Sequence, residues 1–284
     1  MALRKILVPV DGSDAARAAL ETALAIGRAH GAHVEALHVR ASPADAVPLL
    51  GEGMSGAMID ELIEVAARET DLRAVAARNV FNDVRGKLEI PLAEAPGDGE
   101  VSTAFLEMVG REDEVVALRG RLTDLIVVGR PSAGADVTAN LTLSAALFES
   151  GRPVLVAAAE PRPVLGRRIA VAWNNSVEAT RALAAAMPFL RAADHVWVVS
   201  ADTEDDGEPL CGSAVDYLSW HGIHAEKRLV LGRGAIGDAL LDGCAEADLV
   251  VMGAYTHSRL RELIFGGVTR HMLEEATLPL LMAH

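Results

Sequence analysis

The 284-residue chain carries a formal net charge of −14, which excludes a general nucleic-acid binder, since such a protein needs a basic footprint. Hydrophobic residues make up 51% of the chain but aromatic residues only 4%, so alanine, valine and leucine must fill the core, as they do where helices lie on a parallel sheet. The two cysteines, Cys211 and Cys244, form no CxxC pair and read as reduced residues of a reducing compartment, and no apolar stretch approaches the roughly 20 residues of a membrane helix.

The chain opens on "MALRKILVPVDGS", whose apolar run ends early at Pro9 and Asp11. It reads as a strand over 4–10 rather than a signal peptide, so a soluble, cytoplasmic protein is expected. A helix follows at 14–30 and a strand at 33–40. Residues 42–56 lack periodicity and read as a surface insertion. A helix is expected over 57–80, then a second insertion over 82–101, partly extended at "LEIPL". The first half closes with a strand at 103–109, a short helix at 112–120, a strand at 124–129, a helix at 138–150 and a strand at 153–158.

Past "AAAEPRPVLGRR", which holds Pro161 and Pro163, the same order begins again. Strands are expected at 168–173, 194–200, 225–231, 248–253 and 278–282, with helices at 176–190, 209–221, 235–246 and 267–276. "RKILVPVDGSDAARAALETAL" from Arg4 matches "RRIAVAWNNSVEATRALAAAM" from Arg167. "TDLIVVG" matches "ADLVVMG", and "RPVLVAA" matches "LPLLMAH". Three matches in one order mean two copies of one domain, placed at 1–160 and 161–284. The order βαβαβαβαβ with Val/Ile/Leu-rich strands calls for an α/β fold, each copy an open five-stranded parallel sheet covered on both faces. Ligands bind such sheets outside the carboxyl ends of the strands, where strand order reverses. The closing runs "PVLVAAA" and "LPLLMAH" are apolar on both faces, so the two copies should pack together there.

Common catalytic motifs do not fit. G-x-G-x-x-G occurs at Gly51-Gly53-Gly56 and Gly232-Gly234-Gly237, but no acid ends the strand that follows the second, and both read as turns. No Walker sequence and no G-x-S-x-G elbow is present. His221 and His224 straddle a helix end and do not read as a metal pair. "GAYTHSRLRELIFGG", between "ADLVVMG" and "VTRHMLEEA", is different: strand, glycine-bounded loop, helix is a geometry that binds phosphate. Arg259 and Arg261 within it could neutralise phosphate charge.

The repeated "ILVPVDGS…A…AL", the "DLIVVG" and "DLVVMG" strands and the closing "RPVLV" and "LPLLM" resemble the universal stress protein family, over nearly the whole chain and twice. The resemblance implies a tandem member of the adenine nucleotide alpha hydrolase-like fold, with an intramolecular domain pair. It leaves a homodimer and a protein partner open. Nucleotide-binding members carry G-x2-G-x9-G-[S/T] after the fourth strand. The second copy keeps that spacing as Gly253, Thr256, Gly266 and Gly267, with two residue types changed. Those members also place an acid at the end of the first strand, where this copy has Asn174 after Trp173. The resemblance thus implies a set formed by Trp173, Asn174, Met252, Gly253, Thr256, Arg259, Gly266, Gly267, Val268 and Thr269, taking ATP or a related adenine nucleotide, with magnesium left open. The first copy keeps Asp11 but reads Gly129, Ser132, Thr142 and Leu143 in the loop, so no phosphate site is expected there. Three readings follow: a nucleotide-binding stress protein without efficient hydrolysis, a scaffold for protein partners that binds no nucleotide, and a slow adenine-nucleotide hydrolase or transferase.

Overall fold

Two serines start the two copies in the same way. Ser13 Oγ accepts the Ala16 N–H at 3.1 Å, and Ser176 Oγ accepts the Ala179 N–H at 3.1 Å. Each hydroxyl satisfies one orphan donor of a helix N-terminus. The computed structural model describes residues 2–42, 56–94, 99–131, 137–161, 164–202, 207–231, 236–254 and 267–284. Strand β1 (Lys5–Pro9) leads into α1 (Asp14–His30), which buries Ala16, Ala19, Leu20, Ala23 and Leu24 at helical spacing and ends at Gly31 with φ 63°. The half continues with β2 (His33–Arg40), α2 (Gly56–Lys87), β3 (Ser102–Val109), α3 (Glu112–Gly120), β4 (Leu125–Val128), α4 (Val137–Glu149) and β5 (Val154–Val156). The second half holds β6 (Arg168–Ala172), α5 (Val177–Leu190), β7 (His195–Asp202), α6 (Gly207–Trp220), β8 (Glu226–Leu231), α7 (Ile236–Cys244), β9 (Leu249–Gly253), α8 (Gly267–Glu275) and β10 (Leu280–Ala283).

The second insertion needs correction. Residues 82–87 are not irregular: α2 runs on to Lys87, because Phe81 and Val84 continue the buried face of Ala74, Ala77 and Val80. Leu92 does bridge to Thr103, so "LEIPL" is extended at that point. Residues 43–55 of the first insertion, and 95–98 of the second, lie outside the described residues.

The strands form one ten-stranded sheet in the order β3-β2-β1-β4-β5-β10-β9-β6-β7-β8. The order is a palindrome of the two halves. Within each half all described pairings are parallel, and β5 meets β10 antiparallel, with Leu155 opposite Leu281. The core is therefore continuous through the junction. On one face Ile6, Leu155, Leu281 and Ile169 share a cluster; on the other Leu7, Val156, Leu280 and Ala170 do.

The start of the second half is tied down from beneath. Asp248, at the foot of β9, accepts the N–H groups of Gly166 at 2.7 Å, Arg167 at 3.2 Å and Arg168 at 3.0 Å. Asp124 does the same for Arg4 and Lys5 in the first half. Both cysteines are buried and free, and burial pushes the Cys244 thiol up to about 12. No described helix is long and apolar enough to cross a membrane.

Candidate functional site

Strand order reverses between β1 and β4 in the first half and between β6 and β9 in the second. The carboxyl ends of these strand pairs are where a doubly wound sheet holds a ligand. In the second half Ala172 lies beside Met252, so Trp173 and Asn174 follow β6 next to Gly253 at the end of β9. Gly267, Val268 and Thr269 form the first turn of α8, with Gly267 exposed and Thr269 buried. Thr256, Arg259 and Gly266 lie outside the described residues.

The turn after the first strand is shared by the two halves. Asp11 Oδ1 accepts the Ser13 N–H at 2.9 Å, and Asn174 Oδ1 accepts the Ser176 N–H at 3.2 Å. The next residue is left-handed in both, Gly12 with φ 92° and Asn175 with φ 58°. Gly12 is also pressed by α2: a Cβ there would lie 2.7 Å from the Ala76 Cβ. Asn174 is exposed. Trp173 is buried in the core and does not offer a stacking face to solvent. Its Nε1–H is buried without a hydrogen-bond partner. Such a donor destabilises by about 1–3 kcal/mol until an acceptor reaches it.

Gly253 has a packing role that the sequence did not reveal. A Cβ on it would lie 2.5 Å from Ala179 N, and one on Gly129 would lie 2.7 Å from the Ala15 carbonyl carbon. Both glycines let the first turn of a helix, α5 or α1, lie against the end of a strand.

The first-half crevice, about 70 Å³, is lined by Asp11, Ser13, Gly129, Arg130, Glu112 and Thr142, among others. Thr142 donates its hydroxyl to Glu112 Oε1 at 2.8 Å. A carboxylate thus occupies the rim where a phosphate chain would need positive charge. In the second half, α7 begins at Ile236 where α3 begins at Glu112, both nine-residue helices set before matching strands. The apolar side chain replaces the acid.

The Arg130 guanidinium reaches across to the other half. It donates from Nη1 to the carbonyls of Leu273 at 2.8 Å and Met272 at 3.3 Å, and from Nη2 to Leu278 at 2.6 Å. Met272 and Leu273 lie in the last turn of α8 of the other half, the negative pole of its dipole, and Leu278 lies in the turn that leads on to β10. Burial pulls the guanidinium pKa down to about 10. The first half closes α4 differently, with the Ser150 hydroxyl on the Ala146 carbonyl. Glu112, Ile236 and Arg130 all escaped the sequence reading. The available signal was a difference between copies: Arg130 follows "IVVG" where Ala254 follows "VVMG".

Among the described residues no group of three or more His, Cys, Asp or Glu stands ready to hold a metal ion. His221 makes an edge contact with Tyr217, ring centroids 4.9 Å apart.

These features define a tandem α/β protein of the adenine nucleotide alpha hydrolase-like fold. The universal stress protein family model matches residues 2–137 and 166–284, and the chain belongs to that family. It is 23% identical over 294 residues to "Universal stress protein Slr1230" of Synechocystis sp., covering 98% of this chain and 99% of that one. A universal stress protein from Archaeoglobus fulgidus shares the fold with TM-score 0.67 and 17% identity, over 98% of this chain and 97% of that one. A functionally unknown protein, PA1789, from Pseudomonas aeruginosa aligns with TM-score 0.55 and 17% identity, over 99% and 92%.

Proposed function

We propose that this universal stress protein binds ATP or a related adenine nucleotide in its second half, at the carboxyl ends of β6 and β9, without efficient hydrolysis. The observation that carries the reading is the exchange of Glu112 for Ile236 at matching helix starts. The first-half crevice presents a carboxylate held by Thr142, whereas the second presents none at that position and faces the start of α8. A helix N-terminus favours anions, and at Gly267 no atom of the described residues comes within 4 Å of where a Cβ would stand. The Asn174 amide suits an adenine edge, and the Trp173 indole N–H awaits an acceptor. Thr256, Arg259 and Gly266 complete the site in this reading, with Met252, Gly253, Val268 and Thr269 forming its floor. No described carboxylate cluster supplies a magnesium site, so any magnesium would ride on the phosphates. The protein would act in the cytoplasm as a stress-response factor.

A second reading, a universal stress protein that takes no nucleotide and serves as a scaffold, is favoured by one observation. Gly253 is explained by packing alone, as Gly129 is in the half that has lost the loop. Calorimetric titration of ATP into the full chain decides between them. One saturable site per chain, abolished in Ile236→Glu and unchanged in Glu112→Gln, is expected. No saturable heat, or binding indifferent to Ile236→Glu, would leave the scaffold reading. Phosphate release above the buffer rate would favour a hydrolase.

A further inference from the structure

Helix α8, whose first turn faces the phosphates in the nucleotide reading, has nine residues and buries Thr269, Met272 and Leu273 alone among them. On its exposed side Arg270 pairs with Glu274 of the same helix at 2.8 Å, which ties α8 to nothing else. A helix this short has little stability of its own, so it depends on what holds its ends.

At the far end the holder comes from the other half. Arg130 gives Nη1 to the carbonyls of Met272 and Leu273, and Nη2 to that of Leu278, where the chain turns towards β10. One planar fork thus fixes both the end of α8 and the entry to the strand that pairs with β5 at the junction. Arg130 is itself well anchored. It follows Gly129, which lies so close to α1 that a Cβ there would stand 2.7 Å from the Ala15 carbonyl carbon. The tie runs one way. The matching position in the second half is Ala254, whose methyl can donate nothing, and α4 is closed within its own half by Ser150 on the Ala146 carbonyl.

We propose that Arg130 is a positioning residue for nucleotide binding: from the first half it holds α8 of the second half so that the first turn of the helix is set for the phosphates. The inference rests on the nucleotide reading above. A helix of nine residues is about 13 Å long, so Arg130 touches no part of the nucleotide and acts through the order and placement of α8. A loose helix would have to be ordered by the ligand, which weakens binding; a helix already held spares that loss. Linkage makes the effect reciprocal, so a nucleotide at the first turn should tighten the cap at the last.

Calorimetric titration of ATP into the full chain, well below its unfolding temperature, tests this. Arg130→Met should weaken binding roughly fivefold or more, the lower end of coupling between sites. Arg130→Lys keeps the charge without the fork and should recover only part of the affinity. Glu35→Gln breaks a first-half ion pair that makes no contact with α8, and it should bind ATP as the wild type does although it too loses stability. Hydrogen exchange adds a readout that stability alone does not move: ATP should slow exchange at the last turn of α8 in the wild type, and much less in Arg130→Met. Unchanged ATP affinity in Arg130→Met would overturn the proposal while leaving the nucleotide site standing. Full recovery by Arg130→Lys, or an equal loss in Glu35→Gln, would overturn it too, by showing that charge alone or general stability is at work. A wild type that gives no saturable heat would remove the nucleotide reading, and this inference with it.

Discussion

Leu155 and Leu281 stand opposite each other where β5 meets β10, the only antiparallel pairing among the described strands. Both are fully buried and belong to one cluster that reaches Ile6 in the first half and Ile169 in the second. The halves are thus one cooperative body, and the chain should unfold in a single transition. Leu155→Lys with Leu281→Lys should lower stability by several kcal/mol, since two unpaired cations would be buried at the junction. Urea unfolding gives the measure. Two separate transitions in the wild type, or an unmoved midpoint in the variant, would contradict a shared core.

Arg130 is the cross-domain cap of α8. Removing it leaves the carbonyls of Met272, Leu273 and Leu278 without a charged donor. Arg130→Met should lower stability by about 2–4 kcal/mol, and Arg130→Lys should restore only part, because lysine cannot span three carbonyls with a planar fork. Hydrogen exchange should quicken in α8 more than in α4, which is closed by Ser150. With a pKa near 10 the guanidinium stays charged around neutral pH, so the cap should not weaken there. Equal quickening of α4 and α8 would mean a general loss of stability instead of a lost cap.

Glu35 is a buried carboxylate of the first half whose ion pairs should add to stability against acid. It is buried and holds Arg119 through two bonds, 2.6 and 3.0 Å, with Lys5 at 3.1 Å. Burial alone would raise its pKa; the bonds from Arg119 and Lys5 outweigh this and hold it below the usual carboxylate value. A carboxyl whose folded pKa lies below its unfolded one binds fewer protons when folded. Its stabilisation is therefore complete above about pH 4.5, the ordinary value, and is lost as pH falls through the folded one. Both cations are more than a third exposed, so screening trims the effect. Glu35→Gln should cost about 1–3 kcal/mol at neutral pH and flatten the acid limb of the stability profile. An acid limb as steep as the wild type's would assign it to other carboxylates.

The repeat and the parallel sheet were legible because each strand is an apolar run and each helix shows a clean period, with Ser13 and Ser176 marking the starts. The length of α2 was not: the buried face of Phe81 and Val84 is interleaved with Asn82, Asp83 and Arg85, and polar residues hid the continuation. The spacing of Gly253, Gly266 and Gly267 was readable, but not that Gly253 is fixed by α5, since close approach between distant segments leaves no local mark. Likewise Glu112 and Arg130 act on residues about 30 and 140 positions away, Thr142 and Met272 among them, and only the fold brings them together.

The two strand-end glycines separate packing from binding. At Gly253 an added methyl would lie 2.5 Å from Ala179 N, and at Gly129 it would lie 2.7 Å from the Ala15 carbonyl carbon. Backbone cannot rotate aside as a side chain can, so α5 or α1 must shift. Gly253→Ala and Gly129→Ala should each lower stability by about 1–3 kcal/mol, the usual range for overpacking. Only the first should also weaken ATP binding, because only α5 borders the proposed site. Binding and thermal unfolding measured on both variants give four outcomes from two residues. If Gly253→Ala is stable but binds poorly, the glycine serves the ligand and the packing argument fails. If both variants are destabilised and both bind as the wild type does, the strand ends are structural, and the nucleotide, where it binds, does not rest on Gly253.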